Sequence, residues 1–276
     1  MESTFNLIRL LLHNTFDKQM SNTFLIKISK SIISLPFFRN YFSSFYRKLI
    51  ASNSSLNEVQ VVSETRDGLK FNLYIKDWIQ ANLFFLGHYE QAELRLLKSI
   101  LKEGDTFIDL GTNIGLYSLT ASKIVGQKGR VISFEPFGKN YDTFIHNLEL
   151  NHLSNTNVVP EKKAVGKSDS TLMLYSNSSD SNMGMVSTKE RTHTHKESVE
   201  SVSLDTYLKK NKINKVDLIK IDIEGHEKDA LIGVGITGIC NGNLDTLDLK
   251  LAVDAAMLEN ERVAKLIGIN AAARVT

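Results

Sequence analysis

The sequence has a single cysteine, Cys240, in 276 residues. A lone thiol excludes an intrachain disulfide framework and fits a reducing compartment. Only three prolines occur, and low-complexity tracts are scarce, so the chain is neither fibrous nor disordered in composition. Formal net charge is +2 at pH 7. No global field then points to nucleic acid, and no nucleic-acid partner is expected. No stretch reaches the ~20 apolar residues that a membrane-spanning helix needs. The opening residues, MESTFNLIRLLLHNTFDKQ, carry an early acid and lack both a basic n-region and a small-residue cleavage site. A secretory signal is therefore not expected, and the expected location is the cytoplasm. What is present is ordinary globular composition, 42% hydrophobic and 23% charged, enough for one large domain or one domain with extensions.

Three blocks are expected: a helical N-terminal extension over 1–57, an α/β domain over 58–235, and an atypical tail over 236–276. The extension has helix-like patterns at 5–16 and 24–35, followed by PFFRNYFSSFYRKL. Its basic residues (Arg9, Lys18, Lys27, Lys30, Arg39, Arg47, Lys48) outnumber Glu2 and Asp17. Such a segment either packs its apolar side on protein or makes peripheral contact with an anionic membrane surface. Residues 58–76 read as a hairpin, because two β-rich runs flank Arg66-Asp67-Gly68 and Asp-Gly is a strong tight-turn signal. A helix is expected at 91–101.

An alternating series follows: strand 106–110, helix 116–125, strand 130–134, helix 141–150, strand 157–165, strand 171–175, helix 204–211, strand 216–223 and helix 227–232. This alternation implies right-handed crossovers and a doubly wound, mostly parallel sheet with helices on both faces. In such sheets ligands bind beyond the carboxyl ends of the strands. The polar stretch 176–198 is expected to be a long loop serving as a lid or acceptor-recognition surface. Its Thr192-His193-Thr194-His195 run lacks further placed ligands, so no metal is expected there. The tail has no aromatic residue and no apolar, β-branched strand, so C-terminal strands of the sheet are expected to be missing.

The location rule draws attention to FIDLGTNIGLYSL, residues 107–119. Asp109 ends a buried strand, and Gly111 and Gly115 bracket the turn into a helix. Glycine permits a positive φ and close approach of a ligand to the backbone. The helix N-terminus beyond it presents free N–H groups to a carboxylate or phosphate. The spacing G-x-x-x-G is not the dinucleotide fingerprint, and the Gly-Lys-Ser/Thr of a Walker loop is missing. An acid ahead of the glycines would repel a pyrophosphate. It would suit the ammonium and sulfonium of S-adenosylmethionine.

Glu135 ends the second strand of the series in VISFEP. A carboxylate at that place can accept hydrogen bonds from two adjacent ribose hydroxyls, which supports an adenosine-containing ligand. A second acidic cluster, KIDIEGHE over 220–227, ends the fourth parallel strand. Period-two alternation puts Asp222 and Glu224 on one face. Methyl transfer to a hydroxyl requires the nucleophile to lose a proton, which a carboxylate or imidazole can take. Asp222 is thus a candidate for positioning cofactor or acceptor, and Glu224 or His226 for the base. A divalent metal held by Asp222 and Glu224 is disfavoured, and none is expected.

Taken in order, GHYE (87–90), GDTFIDLGTNIGLYSL (104–119), ISFEP (132–136), Asn147 and Asn151 of HNLELN, VSLDTYL (202–208) and DLIKIDIEGHE (217–227) resemble the FkbM-type family of S-adenosylmethionine-dependent methyltransferases. The resemblance covers roughly 60–235. It implies a class I methyltransferase (Rossmann-like) fold and a cofactor held at Asp109, Gly111, Asn113, Gly115 and Glu135. It also implies methyl transfer to oxygen, with a sugar of a glycan or glycolipid, or in some members a macrolide hydroxyl, as acceptor and Glu90 reaching the site. A non-catalytic methyltransferase-like binding protein is the alternative. A nicotinamide-dependent oxidoreductase is a further one, which the glycine spacing weighs against.

Overall fold

A computed structural model describes residues 18–33, 35–153, 156–176, 195–223, 230 and 251–253. These residues form two compact units that divide between Glu90 and Gln91.

The first unit carries helix α1 (Lys18–Ile33), two four-residue helices α2 (Pro36–Arg39) and α3 (Phe42–Phe45), and a wide turn over Tyr46–Ala51. The antiparallel hairpin β1 (Gln60–Glu64) and β2 (Lys70–Tyr74) and helix α4 (Trp78–Leu86) complete it. The hairpin is where the Asp-Gly signal places it, with Gly68 at φ +70°. Aromatic packing explains why the division falls at Glu90 rather than at 57. Phe42 stacks on Trp78 with ring centroids 5.5 Å apart, Phe45 meets Phe85 edge-on at 5.3 Å, and Tyr46 donates from its hydroxyl to the Lys76 carbonyl. The N-terminal helices, the hairpin and α4 therefore share one apolar core. Helix α1 begins earlier than the expected 24, and the pattern at 5–16 lies outside the described residues.

The second unit contains α5 (Gln91–Ile100), β3 (Thr106–Leu110), α6 (Leu116–Val125), β4 (Arg130–Phe134), α7 (Gly138–Leu150), β5 (Val158–Glu161), β6 (Ala164–Val165), β7 (Ser170–Ser176), β8 (His195–Val202), α8 (Leu204–Lys210), β9 (Leu218–Ile221) and β10 (Leu251–Val253). Five strands form an all-parallel sheet in the order β10-β9-β3-β4-β5. The chain starts this sheet at its centre, proceeds one way through β4 and β5, then returns to the other side of β3. Strand order thus reverses at β3, and the crevice beyond the carboxyl ends of β3 and β9 is the switch point where such folds bind ligands. This is the Rossmann-like fold of class I methyltransferases.

The central strands β3, β4 and β9 are buried on both faces apart from the first residue of β3 and of β4, as crossover helices require. On one face Ile108, Leu110, Ile132, Phe134, Ile219 and Ile221 pack with Leu204, Tyr207, Leu208 and Val216. Three expectations are corrected. The tail does contain a strand, β10, paired in parallel with β9; its Leu-Ala-Val sequence is too short for a propensity signal. The expected strand 157–165 is two strands, and β6 pairs with β8 in a separate three-stranded sheet of order β6-β8-β7. The excursion after β7 is shorter than 176–198, because Ser176 and His195 are strand partners. His193 and the interior of that excursion lie outside the described residues.

Candidate functional site

Register across the parallel sheet builds the floor of the crevice. Asp109 of β3 lies beside Ser133 of β4 and Lys220 of β9. Parallel neighbours in register project to the same face, so one acid, one hydroxyl and one ammonium converge. Ser118, in the first turn of α6, completes the group. Its hydroxyl donates to Asp109 Oδ2 at 2.6 Å and lies 2.7 Å from Ser133 Oγ. Lys220 Nζ sits 3.4 Å from Asp109 Oδ1 and 3.4 Å from Asp222 Oδ2, and donates to the Gly111 carbonyl at 3.2 Å. It also lies 4.8 Å above the Tyr117 ring. Asp109 is fully buried and Lys220 nearly so. The acid thus stands beneath the turn as a fixed group, with its charge opposed by the ammonium.

The turn above this floor is held by backbone. Gly111 and Thr112 both donate N–H to the Phe134 carbonyl at 3.0 Å. Gly111 has φ +81°, and a Cβ there would stand 1.8 Å from the Asp222 carbonyl oxygen. Glycine is required at this position by the neighbouring strand end, before any ligand is considered. A Cβ at Gly115 would come 2.4 Å from the Phe144 ring. Asn113 has φ +53°, a conformation that asparagine tolerates better than most residues. That conformation aims its N–H at Glu135 Oε2, at 2.8 Å. Gly115 is the N-cap of α6, with φ +95°, and offers no side chain to cap the first turn.

Glu135 is the most perturbed acid of the site. It is 5% exposed and accepts from Asn113 N–H on Oε2 and from Phe137 N–H on Oε1, at 2.8 and 3.0 Å. Burial pushes its pKa up to about 7, opposed by the Phe137 and Asn113 amides, with Asp109 raising it further and Lys220 lowering it. Nearby, Asn113 Oδ1 is buried with no hydrogen-bond donor among the described residues, and Asp109 Oδ1 has the Lys220 ammonium alone, at 3.4 Å.

The structure therefore brings together Asp109, Gly111, Asn113, Gly115, Glu135 and Asp222 around one crevice. Asp222 extends beyond β9 with its side chain 40% exposed. Glu224 and His226 lie outside the described residues. Glu90 closes the first unit, with φ +45°. Sequence reasoning missed Lys220, Ser118 and Ser133. The available signal was a lysine inside the apolar run Leu218-Ile219-Lys220-Ile221, on the face shared with Asp222.

Comparison with known proteins bears directly on this arrangement. The family model described as methyltransferase FkbM domain matches residues 109–251, just over half of the chain. The chain belongs to the FkbM methyltransferase family. Among curated relatives, hexuronic acid methyltransferase AglP of Haloferax volcanii is 28% identical over 145 residues, covering 52% of this chain and 56% of that protein. Methyltransferase 1 of Beauveria bassiana is 29% identical over 149 residues, covering 47% of this chain and 59% of that protein. This FkbM-family chain thus spans somewhat over half the length of the curated relatives it matches. A crystal structure of methyltransferase FkbM from Methylobacillus flagellatus KT aligns over 92% of this chain and 48% of that one, with 15% identity and a TM-score of 0.37.

One prediction follows from the floor. Lys220→Met should destabilise the fold by ~3–5 kcal/mol, because it leaves the buried Asp109 carboxylate without its cation. Pairing it with Asp109→Asn should recover more than half of that loss. Thermal unfolding of the single and double variants measures both numbers. A loss in the double variant equal to the sum of the losses from Lys220→Met and Asp109→Asn alone would show that the pair is not coupled.

Proposed function

We propose that this chain is an S-adenosylmethionine-dependent O-methyltransferase acting on a hydroxyl of a saccharide, free or in a glycan or glycolipid. The observation that carries the reading is Glu135 at the switch-point crevice. Its two carboxylate oxygens are held by the Asn113 and Phe137 amides, and each retains a lone pair for a ribose hydroxyl. Family membership supports methyl transfer, and the named activity of the Haloferax relative, methylation of a hexuronic acid, supports a sugar acceptor.

The residues present fit the cofactor. The buried acceptor Asn113 Oδ1, which has no donor among the described residues, suits a ligand that brings N–H or O–H donors. The N-terminus of α6, where Gly115 brings no side chain, lets the carboxylate of the cofactor's methionine portion approach the positive end of the helix. When bound, S-adenosylmethionine supplies an electrophilic methyl group on a sulfonium. Glu135 holds the ribose, and the Gly111–Gly115 turn holds the amino-acid end. Asp109 acts from below the turn, through Ser118 and Lys220. Asp222, at the end of the adjacent strand, orients the acceptor hydroxyl. Glu224 or His226, two and four residues further on, takes the proton that the hydroxyl loses. Acceleration would come mainly from positioning the acceptor hydroxyl through Asp222 and from that proton transfer.

Two measurements test this. Calorimetry should show saturable binding of S-adenosylmethionine and S-adenosylhomocysteine and none of NAD. Transfer of labelled methyl to a panel of uronic acids and neutral sugars should be detectable. Asp222→Asn should reduce it ~10²-fold while leaving cofactor affinity within about threefold. Binding of NAD alone would replace this reading with an oxidoreductase. Cofactor binding without transfer to any sugar would remove the saccharide acceptor.

A further inference from the structure

Most of the aromatic N-terminal segment is accounted for by packing: Phe42, Phe45, Tyr46, Leu49 and Ile50 are buried in the first unit. A subset is not. Leu35 is 52% exposed, Phe37 63% and Tyr41 39%, and Ile28 on α1 is 43% exposed. The other exposed large hydrophobic residues among those described, Val62, Val159 and Met173, are single positions on three different strands. The four in the N-terminal helices fall within fourteen consecutive residues. Phe37 packs edge-on against Phe38 at 5.4 Å and lies 5.9 Å from the Tyr41 ring. The rings therefore form one aromatic group rather than isolated side chains.

Charge on this segment has one sign. From Lys18 to Asn57 there is no aspartate or glutamate, and Lys18, Lys27, Lys30, Arg39, Arg47 and Lys48 are all basic. Lys27, Arg47 and Lys48 are exposed. Lys30 is part-buried, donating to Ser63 Oγ at 2.7 Å and lying 4.5 Å over the Phe84 ring, so its ammonium is engaged within the first unit. The exposed residues are held by a fixed scaffold, since Phe42 and Tyr46 between them are clamped against Trp78.

We infer that Leu35, Phe37 and Tyr41, flanked by Lys27, Arg47 and Lys48, dock this chain on an anionic lipid surface. The sign of the charge selects this occupant. A two-fold interface between copies would set this acid-free basic segment against itself, whereas an anionic bilayer neutralises it. Exposed aromatic rings beside lysine and arginine are the combination that inserts at headgroup depth. None of the helices, among the described residues, is long and apolar enough to cross a membrane, so the contact is with the surface. This inference is independent of the acceptor reading above.

The test is co-sedimentation of the full chain with sucrose-loaded vesicles. Phosphatidylcholine alone is compared with phosphatidylcholine containing about one-third phosphatidylglycerol, the anionic fraction that sets the surface potential. The chain should sediment with the anionic vesicles and stay in the supernatant with the neutral ones. Raising salt to about 0.5 M should release it. Phe37→Ser combined with Tyr41→Ser, and separately Arg47→Glu combined with Lys48→Glu, should each weaken partitioning ~tenfold or more. Their thermal unfolding should match the parent, because the substituted side chains are exposed or partly exposed. Failure to bind anionic vesicles overturns the inference. So does equal binding to both vesicle types, or substitutions that split a dimer while leaving sedimentation unchanged.

Discussion

Gly111→Ala is expected to lower the unfolding temperature by roughly 10 °C or more, corresponding to a loss of about 4 kcal/mol in a domain of this size. Two causes add. An L-residue at φ +81° costs ~1–2 kcal/mol. In addition, the new Cβ would stand 1.8 Å from the Asp222 carbonyl oxygen and 3.1 Å from the Ile223 side chain. The obstructing atom is backbone of the adjacent strand end, which cannot rotate away. Relief requires β3 and β9 to part at the mouth of the crevice, so any ligand affinity should fall with the stability. Gly104 is the internal control. It has φ +87° and nothing within 4 Å of an added Cβ, so Gly104→Ala should cost only the conformational term, ~1 kcal/mol. Differential scanning calorimetry of the two variants separates strain from collision. Equal losses would mean that the β9 strand end does not lie where it is described.

The second large effect concerns Glu135. Its pKa is raised from 4.5 to about 7, mainly by burial. The folded protein therefore binds a proton that the unfolded chain has released between pH 4.5 and 7. The Glu135 contribution to the stability of the unliganded protein is consequently most favourable below about pH 4.5 and declines as pH rises towards 7, by roughly 3 kcal/mol in all. Ligand affinity should move the opposite way. Two ribose hydroxyls donate best to the ionised carboxylate, so S-adenosylhomocysteine should bind more tightly as pH rises through 7. The gain should be up to about tenfold per pH unit below the pKa and should flatten above it. Glu135→Ala should weaken binding by ~10²-fold or more, since it removes a charged acceptor and strands the Asn113 and Phe137 amides. Glu135→Gln should weaken it less and abolish the pH dependence. Calorimetric titration from pH 5.5 to 8.5 measures all three. An affinity that is flat with pH in the parent protein would show that Glu135 does not hold the ribose.

Much of this was legible in the sequence, for a physical reason. The run FIDLG followed by an amphipathic segment is a local signal, as is VISFEP, and β3, α6 and β4 have the bounds expected from it. The Asp-Gly turn of the hairpin is equally local. What could not be read depends on contacts between distant segments. The requirement for glycine at 111 comes from Asp222, over a hundred residues later. Lys220 opposes Asp109 only because β9 returns to the side of β3 away from β4. Asp109 was expected to face the ligand's ammonium, but in register with Ser133 and Lys220 it is enclosed beneath the turn. The boundary at Glu90 reflects aromatic packing between the N-terminal helices and α4, which no periodicity reveals. Strand β10 escaped notice because three residues, Leu251-Ala252-Val253, carry too little β-branched character to stand out from their surroundings.

The crystal structure of this chain grown with saturating S-adenosylhomocysteine tests the central claim most directly. The ribose hydroxyls should donate to the two carboxylate oxygens of Glu135, with the homocysteine carboxylate at the first turn of α6, beyond Gly115. A crevice filled by the protein's own side chains, or the ligand lodged away from the carboxyl ends of β3 and β4, would contradict it.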